Sequence, residues 1–131
     1  MIYLDTSAFL KLVWEEEGSV ELLDRVGHRT DVGSSALLAV EARRGAARSD
    51  PTTIPRVDLL LSRLTLVAIG DAVVESASRL PARTLRSLDA IHLATALLLG
   101  TDLQEFVTYD TRLADAATAQ GIRTVVSPGV A

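Results

Sequence analysis

The sequence predicts an α/β/α sandwich: three layers, with a mostly parallel central sheet between two layers of helices. Two observations lead there. Short apolar runs alternate along the chain with longer segments whose apolar residues recur every three or four positions. The first of those runs, Ile2–Leu4, is apolar throughout, as befits a strand covered on both faces. A third observation sets the organisation. A chain of 131 residues with no internal repeat, low-complexity tract or linker reads as a single domain, 1–131.

Taken in order, Ile2–Leu4 is a strand, and Thr6 or Ser7 caps a helix that reaches Val13. A second helix follows Gly18, carries Val20, Leu22, Leu23 and Val26, and stops at Gly27. Asp31–Ser34 is a brief second strand, after which Ser34 or Ser35 caps a helix to about Arg48. Asp50-Pro51 breaks the chain; Arg56–Leu64 is then a helix, Thr65–Ile69 a strand, and Asp71–Leu80 a helix capped by Asp71. The basic loop Pro81–Arg86 leads to the long helix Leu88–Leu99, capped by Ser87 and ended by Gly100. Phe106–Tyr109 is a strand, Thr111–Gln120 a helix closed by Gly121, and Arg123–Val126 the last strand. Crossovers between parallel strands are right-handed, so the strand tips that lead into helices share one edge, where ligands bind. Asp5 and Asp110 each stand at such a tip, so Asp5 is expected to point into a site and not into the core.

Composition narrows the function. With 48% apolar residues the chain has the material for a core, and disorder is not expected. The absence of cysteine excludes thiol catalysis, Cys-bound zinc and disulfides, and fits a reducing compartment. No basic leader precedes an apolar segment and no apolar stretch reaches membrane-spanning length, so a soluble, cytoplasmic protein is expected, with no membrane partner. A net charge of −4 argues against broad nucleic-acid affinity but leaves room for an acidic, metal-dependent site flanked by arginines. The basic residues are twelve Arg and a single Lys, Lys11.

Four acids stand out. Between Leu88 and Leu99 the only polar side chains are Asp89, His92 and Thr95, spaced three apart on an otherwise apolar helix. Such a helix is buried, and a carboxylate in its first turn is presented inward; the competing reading is a residue that merely complements the helix dipole. Glu41 lies about 9 Å along its helix from Ser35, at ~1.5 Å per residue, among Leu37, Leu38, Val40 and Ala42. Asp110 follows a strand and precedes a helix, where it also reads as an ordinary cap. Asp5, Asp89 and Asp110 fall at element junctions that an α/β fold brings together. Two carboxylates ~5 Å apart repel by about 3 kcal/mol at an effective dielectric near 20, so such a set needs raised pKa values or a bound cation. Oxygen ligands select a hard ion, Mg²⁺ or Mn²⁺, which suits phosphodiester hydrolysis.

The segments "MIYLDTSAFLKL", "SSALLAVEARRGAAR", "RSLDAIHLATAL" and "FVTYDTRLADAA", in that order, resemble the four motif blocks of PIN-domain ribonucleases, and more narrowly the VapC toxins of type II toxin–antitoxin pairs. The resemblance spans nearly the whole chain; only Asp50 to Arg86 is generic. It implies a PIN fold in which Asp5, Glu41, Asp89 and Asp110 surround one or two Mg²⁺ or Mn²⁺ ions. By position, Asp5 and Asp89 are direct ligands, while Glu41 and Asp110 ligate directly, act through water, or orient it. The implied reaction is endonucleolytic cleavage of RNA by a metal-activated water. The resemblance further implies a homodimer and a VapB-type antitoxin whose C-terminal segment blocks the site, often with an arginine.

Other residues have plainer readings. His92 has no second histidine nearby and is read as structural or as a support for the acids. Thr6, Ser7 and Thr108 are expected to cap helices or fix carboxylates, and Asp115 to be solvated, a reserve fourth acid. Among Arg43, Arg44, Arg79, Arg83, Arg86 and Arg112, the last two lie within three residues of a proposed ligand and are the candidates for substrate phosphate. Trp14 is expected at an exposed turn, packing on a partner helix or a second copy. Two other functions compete: a PIN-like module that binds without cutting, and a phosphatase using Asp5 as nucleophile. The second needs another Asp two residues on and a distant Lys, whereas residue 7 is Ser and the lysine is Lys11.

Overall fold

The computed structural model describes residues 1–130. Strand β1 (Ile2–Leu4) runs into helix α1 (Thr6–Val13), followed by α2 (Ser19–Val26). Strand β2 (Val32–Ser35) leads to α3 (Leu37–Ser49), a 3-10 turn (Pro51–Thr53) and α4 (Ile54–Leu61). Then come β3 (Thr65–Val67), α5 (Asp71–Ser78) and α6 (Ser87–Leu98). A second 3-10 turn (Gly100–Asp102), β4 (Glu105–Val107), α7 (Thr111–Ala119) and β5 (Val125–Val126) complete the order. None of the described helices is long and apolar enough to cross a membrane.

The strands align as β3-β2-β1-β4-β5, with every pairing parallel. The predicted sandwich therefore forms around a sheet parallel throughout. From the centre, β1, β2 and β3 step outward one way and β4 and β5 the other. The order reverses between β1 and β4, and the loops leaving their C-terminal ends open a crevice there. Tyr3 pairs with Phe106 and Leu4 with Val107, so the two tips, and the Asp that follows each, lie side by side.

A strand's period of two divides the core. Tyr3 and Phe106 point to one face, their rings stacked with centroids 5.4 Å apart, where Leu93, Leu113 and Ala117 of α6 and α7 close over them. Ile2, Leu4, Val32 and Val107 point to the other, against Ala8, Leu22 and Val26 of α1 and α2. A third cluster of Phe9, Val13, Leu38, Ala42, Val57 and Leu61 ties α1 to α3 and α4.

Several expected caps are corrected. Asp5, not Thr6 or Ser7, caps α1 by accepting from the Ala8 amide at 2.9 Å. Ala36 holds the cap position of α3, while the Ser35 hydroxyl accepts from the Leu37 amide and Ser34 donates to the Leu4 carbonyl. Gly70 precedes α5, so Asp71 sits in its first turn; Arg86 precedes α6, whose first residue is Ser87, and neither helix has a side-chain cap. α4 begins two residues before the expected Arg56, because Asp50 turns the chain through Pro51–Thr53 and Pro55, lacking an N–H, fits a first helical turn. β4 ends at Val107, since the Tyr109 amide donates to the Ser7 hydroxyl instead of a neighbouring strand. Trp14 packs on the Phe9–Leu38 cluster of its own chain, with its indole N–H buried and without a partner among the described residues.

Phe106 sits fully buried at the centre of the sheet. Phe106→Ala is expected to lower the unfolding free energy by roughly 3–5 kcal/mol, measured by urea denaturation in the presence of EDTA.

Candidate active site

Asp5 extends the pairing of β1 by one residue, its amide donating to the Val107 carbonyl at 3.2 Å. It is only 3% exposed, but its pocket is polar. Oδ1 accepts from the Ser7 hydroxyl at 2.7 Å and the Ala8 amide at 2.9 Å; Oδ2 accepts from the Thr108 hydroxyl at 2.6 Å. Both hydroxyls also receive amides from the neighbouring strand end, Ser7 that of Tyr109 and Thr108 that of Asp110. Each hydroxyl thus bridges the tips of β1 and β4. Burial raises the Asp5 pKa above the ordinary aspartate value, against the opposing pull of these three donors and of His92.

Glu41 comes from α3, a turn beyond the end of β2, and reaches towards the same edge. Its Oε1 accepts from the Thr6 hydroxyl at 2.6 Å and lies 2.9 Å from His92 Nε2. Half-burial works to raise its pKa, but the hydrogen bonds from His92 and Thr6 outweigh it, and the carboxyl lies below the ordinary glutamate value. His92 is itself buried, with Nδ1 2.7 Å from the Tyr3 hydroxyl.

Asp89, in the first turn of α6, is half-buried, and among the described residues no hydrogen bond bears on its carboxyl. Burial raises its pKa, and the charges of Asp110, Asp5 and Glu41 raise it further. Asp110 caps α7, Oδ1 accepting from the Arg112 amide at 2.9 Å and the Leu113 amide at 3.3 Å. A cleft of about 370 Å³ opens beside Asp89 and Asp110 and is lined as well by Thr84, Arg86, Thr111 and Arg112. Arg86 and Arg112 form no ion pair among the described residues, whereas Arg43 and Arg79 are tied to Asp58 and Glu75. Asp115 is exposed on α7. A larger groove of about 480 Å³, between α1, α2 and α4, is mainly apolar and distant from these acids.

The four predicted acids thus come to one edge of the sheet, coupled through Asp89. Among the described residues no three His, Asp or Glu side chains are grouped closely enough to hold one metal ion. The reason is visible in their partners: Asp5 is drawn onto hydroxyls, Glu41 onto Thr6 and His92, Asp110 onto its own helix. The donor chemistry fits a hard cation, because among the described residues Asp89, Glu41 Oε2 and Asp110 Oδ2 keep all their lone pairs and Asp5 Oδ2 keeps one.

The PIN domain family model matches residues 2–119. This chain belongs to the PIN-domain family. Within it, the chain groups with VapC proteins. It is 43% identical to Ribonuclease VapC35 of Mycobacterium tuberculosis over 135 residues, covering 100% of this chain and 99% of that one. It is 40% identical to Ribonuclease VapC47 of the same species, covering 98% of each. Among solved structures, a toxin–antitoxin complex from Klebsiella pneumoniae matches with a TM-score of 0.75 at 25% identity over 98% of both chains. VapBC2 from Rickettsia felis, bound to a fragment of promoter DNA, matches in fold with a TM-score of 0.72 at 14% identity.

In this PIN domain, Tyr3 is the site-supporting residue that sequence reasoning passed over. Its one signal was a phenol within a strand whose other residues are aliphatic. A testable consequence follows from Asp89. Because its pKa is raised in the folded chain, the ionised carboxylate destabilises the fold at neutral pH, and this penalty is absent below the ordinary aspartate range. Asp89→Asn is therefore expected to raise the thermal midpoint of EDTA-treated protein at pH 7, the gain vanishing towards pH of about 4, as followed by circular dichroism.

Proposed function

We propose that this PIN domain is a metal-dependent endoribonuclease, the toxin of a type II toxin–antitoxin pair. The observation that carries the reading is the crowding at Asp89, whose carboxyl is pushed up first by burial and then by the charges of Asp110, Asp5 and Glu41 on three other elements. Isolated structural acids would not be gathered at a sheet's switch point against their own repulsion. Sequence relatives named as VapC ribonucleases support the same reading. So does the Klebsiella pneumoniae neighbour, which is a toxin–antitoxin complex.

A hard divalent ion, Mg²⁺ or Mn²⁺, would supply charge to offset that repulsion, acidify a water and steady the developing charge on the phosphodiester. The chain's own residues divide the remaining work. Asp5, fixed by three donors, would be the rigid ligand at the floor of the site. Asp89, without a hydrogen bond among the described residues, would hold the ion with it, together with the unoccupied oxygens of Glu41 and Asp110. Arg86 and Arg112, unpaired beside Asp89 and Asp110, hold the phosphates of the RNA on either side of the scissile bond. A VapB-type antitoxin covers the acids when the toxin is silent, and the protein works as a homodimer in the cytoplasm.

The test is RNA cleavage by the purified protein. Cleavage is expected with Mg²⁺ or Mn²⁺, abolished by EDTA, and reduced to background in Asp5→Ala and Asp89→Ala. Arg86→Ala and Arg112→Ala are expected to raise KM more than they lower kcat, each flattening the slope of log affinity against log salt by about 0.7 for single-stranded RNA. Cleavage that survives chelation removes the metal from the mechanism; no cleavage with either ion removes the nuclease.

A further inference from the structure

We propose that His92 is a positioning residue, set by Tyr3, which pins Glu41 by one oxygen so that the other alone is presented to the cation; this rests on the metal reading above. The imidazole is 1% exposed, in a helix of otherwise apolar character. A buried imidazole is tolerated when both ring nitrogens are paired, and both are. The Tyr3 hydroxyl lies 2.7 Å from Nδ1, while Nε2 lies 2.9 Å from Glu41 Oε1 and 3.1 Å from Thr6 Oγ1.

The direction of these bonds follows from Glu41 and Tyr3 together. Glu41 Oε1 can only accept, so Nε2 is the donor, and the Tyr3 hydroxyl, whose oxygen accepts the Ser35 amide at 3.1 Å, gives its proton to Nδ1. The ring's proton then sits on Nε2 and points at Glu41. The Thr6 hydroxyl donates to the same oxygen at 2.6 Å. Both lone pairs of Oε1 are thereby occupied, and among the described residues Oε2 accepts nothing. Donors from α1 and α6 thus converge on one oxygen of a side chain from α3. Their anchor, Tyr3, is fully buried in the central strand with its ring stacked on Phe106. A glutamate on an open helix face samples many rotamers; this one is held by one oxygen, leaving the other free among the described residues.

A histidine that merely fills the core makes a different prediction, and two substitutions separate the cases. His92→Asn places its amide where Nδ1 stands, keeping Tyr3 paired but falling short of Glu41. His92→Gln extends its amide to the Nε2 position and keeps the donor to Glu41. Both lose the ring, so lost packing affects both. Mn²⁺ affinity, read by titration calorimetry on the full chain, is expected to weaken by about 10–100-fold in His92→Asn and to stay within about threefold of the parent in His92→Gln. Nitrogen-15 NMR of the EDTA-treated protein, which needs no metal, is expected to find the ring protonated on Nε2, with mixed tautomers in Tyr3→Phe.

Equal Mn²⁺ affinity in the parent and His92→Asn overturns the positioning role, as do equal losses in both substitutions or a parent ring protonated on Nδ1. A parent chain that takes up no Mn²⁺ overturns the metal reading instead, and this proposal with it.

Discussion

A carboxylate buried between the two central strand tips is the constraint around which this molecule is organised. Removing Asp5 from water is unfavourable unless donors replace the solvent. The donors come from both sides of the switch point, Ser7 and Ala8 after β1, Thr108 after β4. Because the Ser7 and Thr108 hydroxyls also receive amides from the β4 end, compensation of one charge doubles as the lock between the two halves of the sheet. The start of α7, and with it Asp110, is placed by the same two hydroxyls that hold Asp5.

From this floor outward the acids become progressively freer. Asp5 is enclosed and saturated on one oxygen; Glu41 is half-buried and held by one oxygen; Asp89 is half-buried and held by none. Their electrostatics follow the balance of burial, donors and neighbouring charge at each position. Asp5 is raised by burial, Glu41 lowered by its donors, and Asp89 raised by burial and by its neighbours together. Rigidity beneath and adjustability above suits the cation and polyanion proposed for this site, since a fully fixed quartet of charges would have no means of relaxing when empty.

Much of the fold was legible because its signals are local. A short run of apolar residues, a helix-spaced stripe and a glycine at a helix end are properties of neighbouring residues, and every predicted strand and helix has its counterpart. Three of the misplaced caps share one cause: Ser and Thr next to a helix are good caps in isolation, but here tertiary partners claimed their hydroxyls. Thr6 turned to Glu41, Ser34 to a β1 carbonyl, and Ser7 to Asp5 and the β4 end. Trp14 packs on the Phe9–Leu38 cluster of its own chain, a contact that nothing in its neighbouring residues announces.

By itself, then, the sequence determined the alternation of strands and helices, the identity of the four acids and their family, since these rest on spacing and order along the chain. Tertiary structure alone decided what each acid experiences. Which oxygen of Glu41 is occupied depends on Tyr3, Thr6 and His92, up to 89 residues apart. Such contacts set burial, hydrogen bonding and charge, and these depend on distances in space that no local pattern encodes.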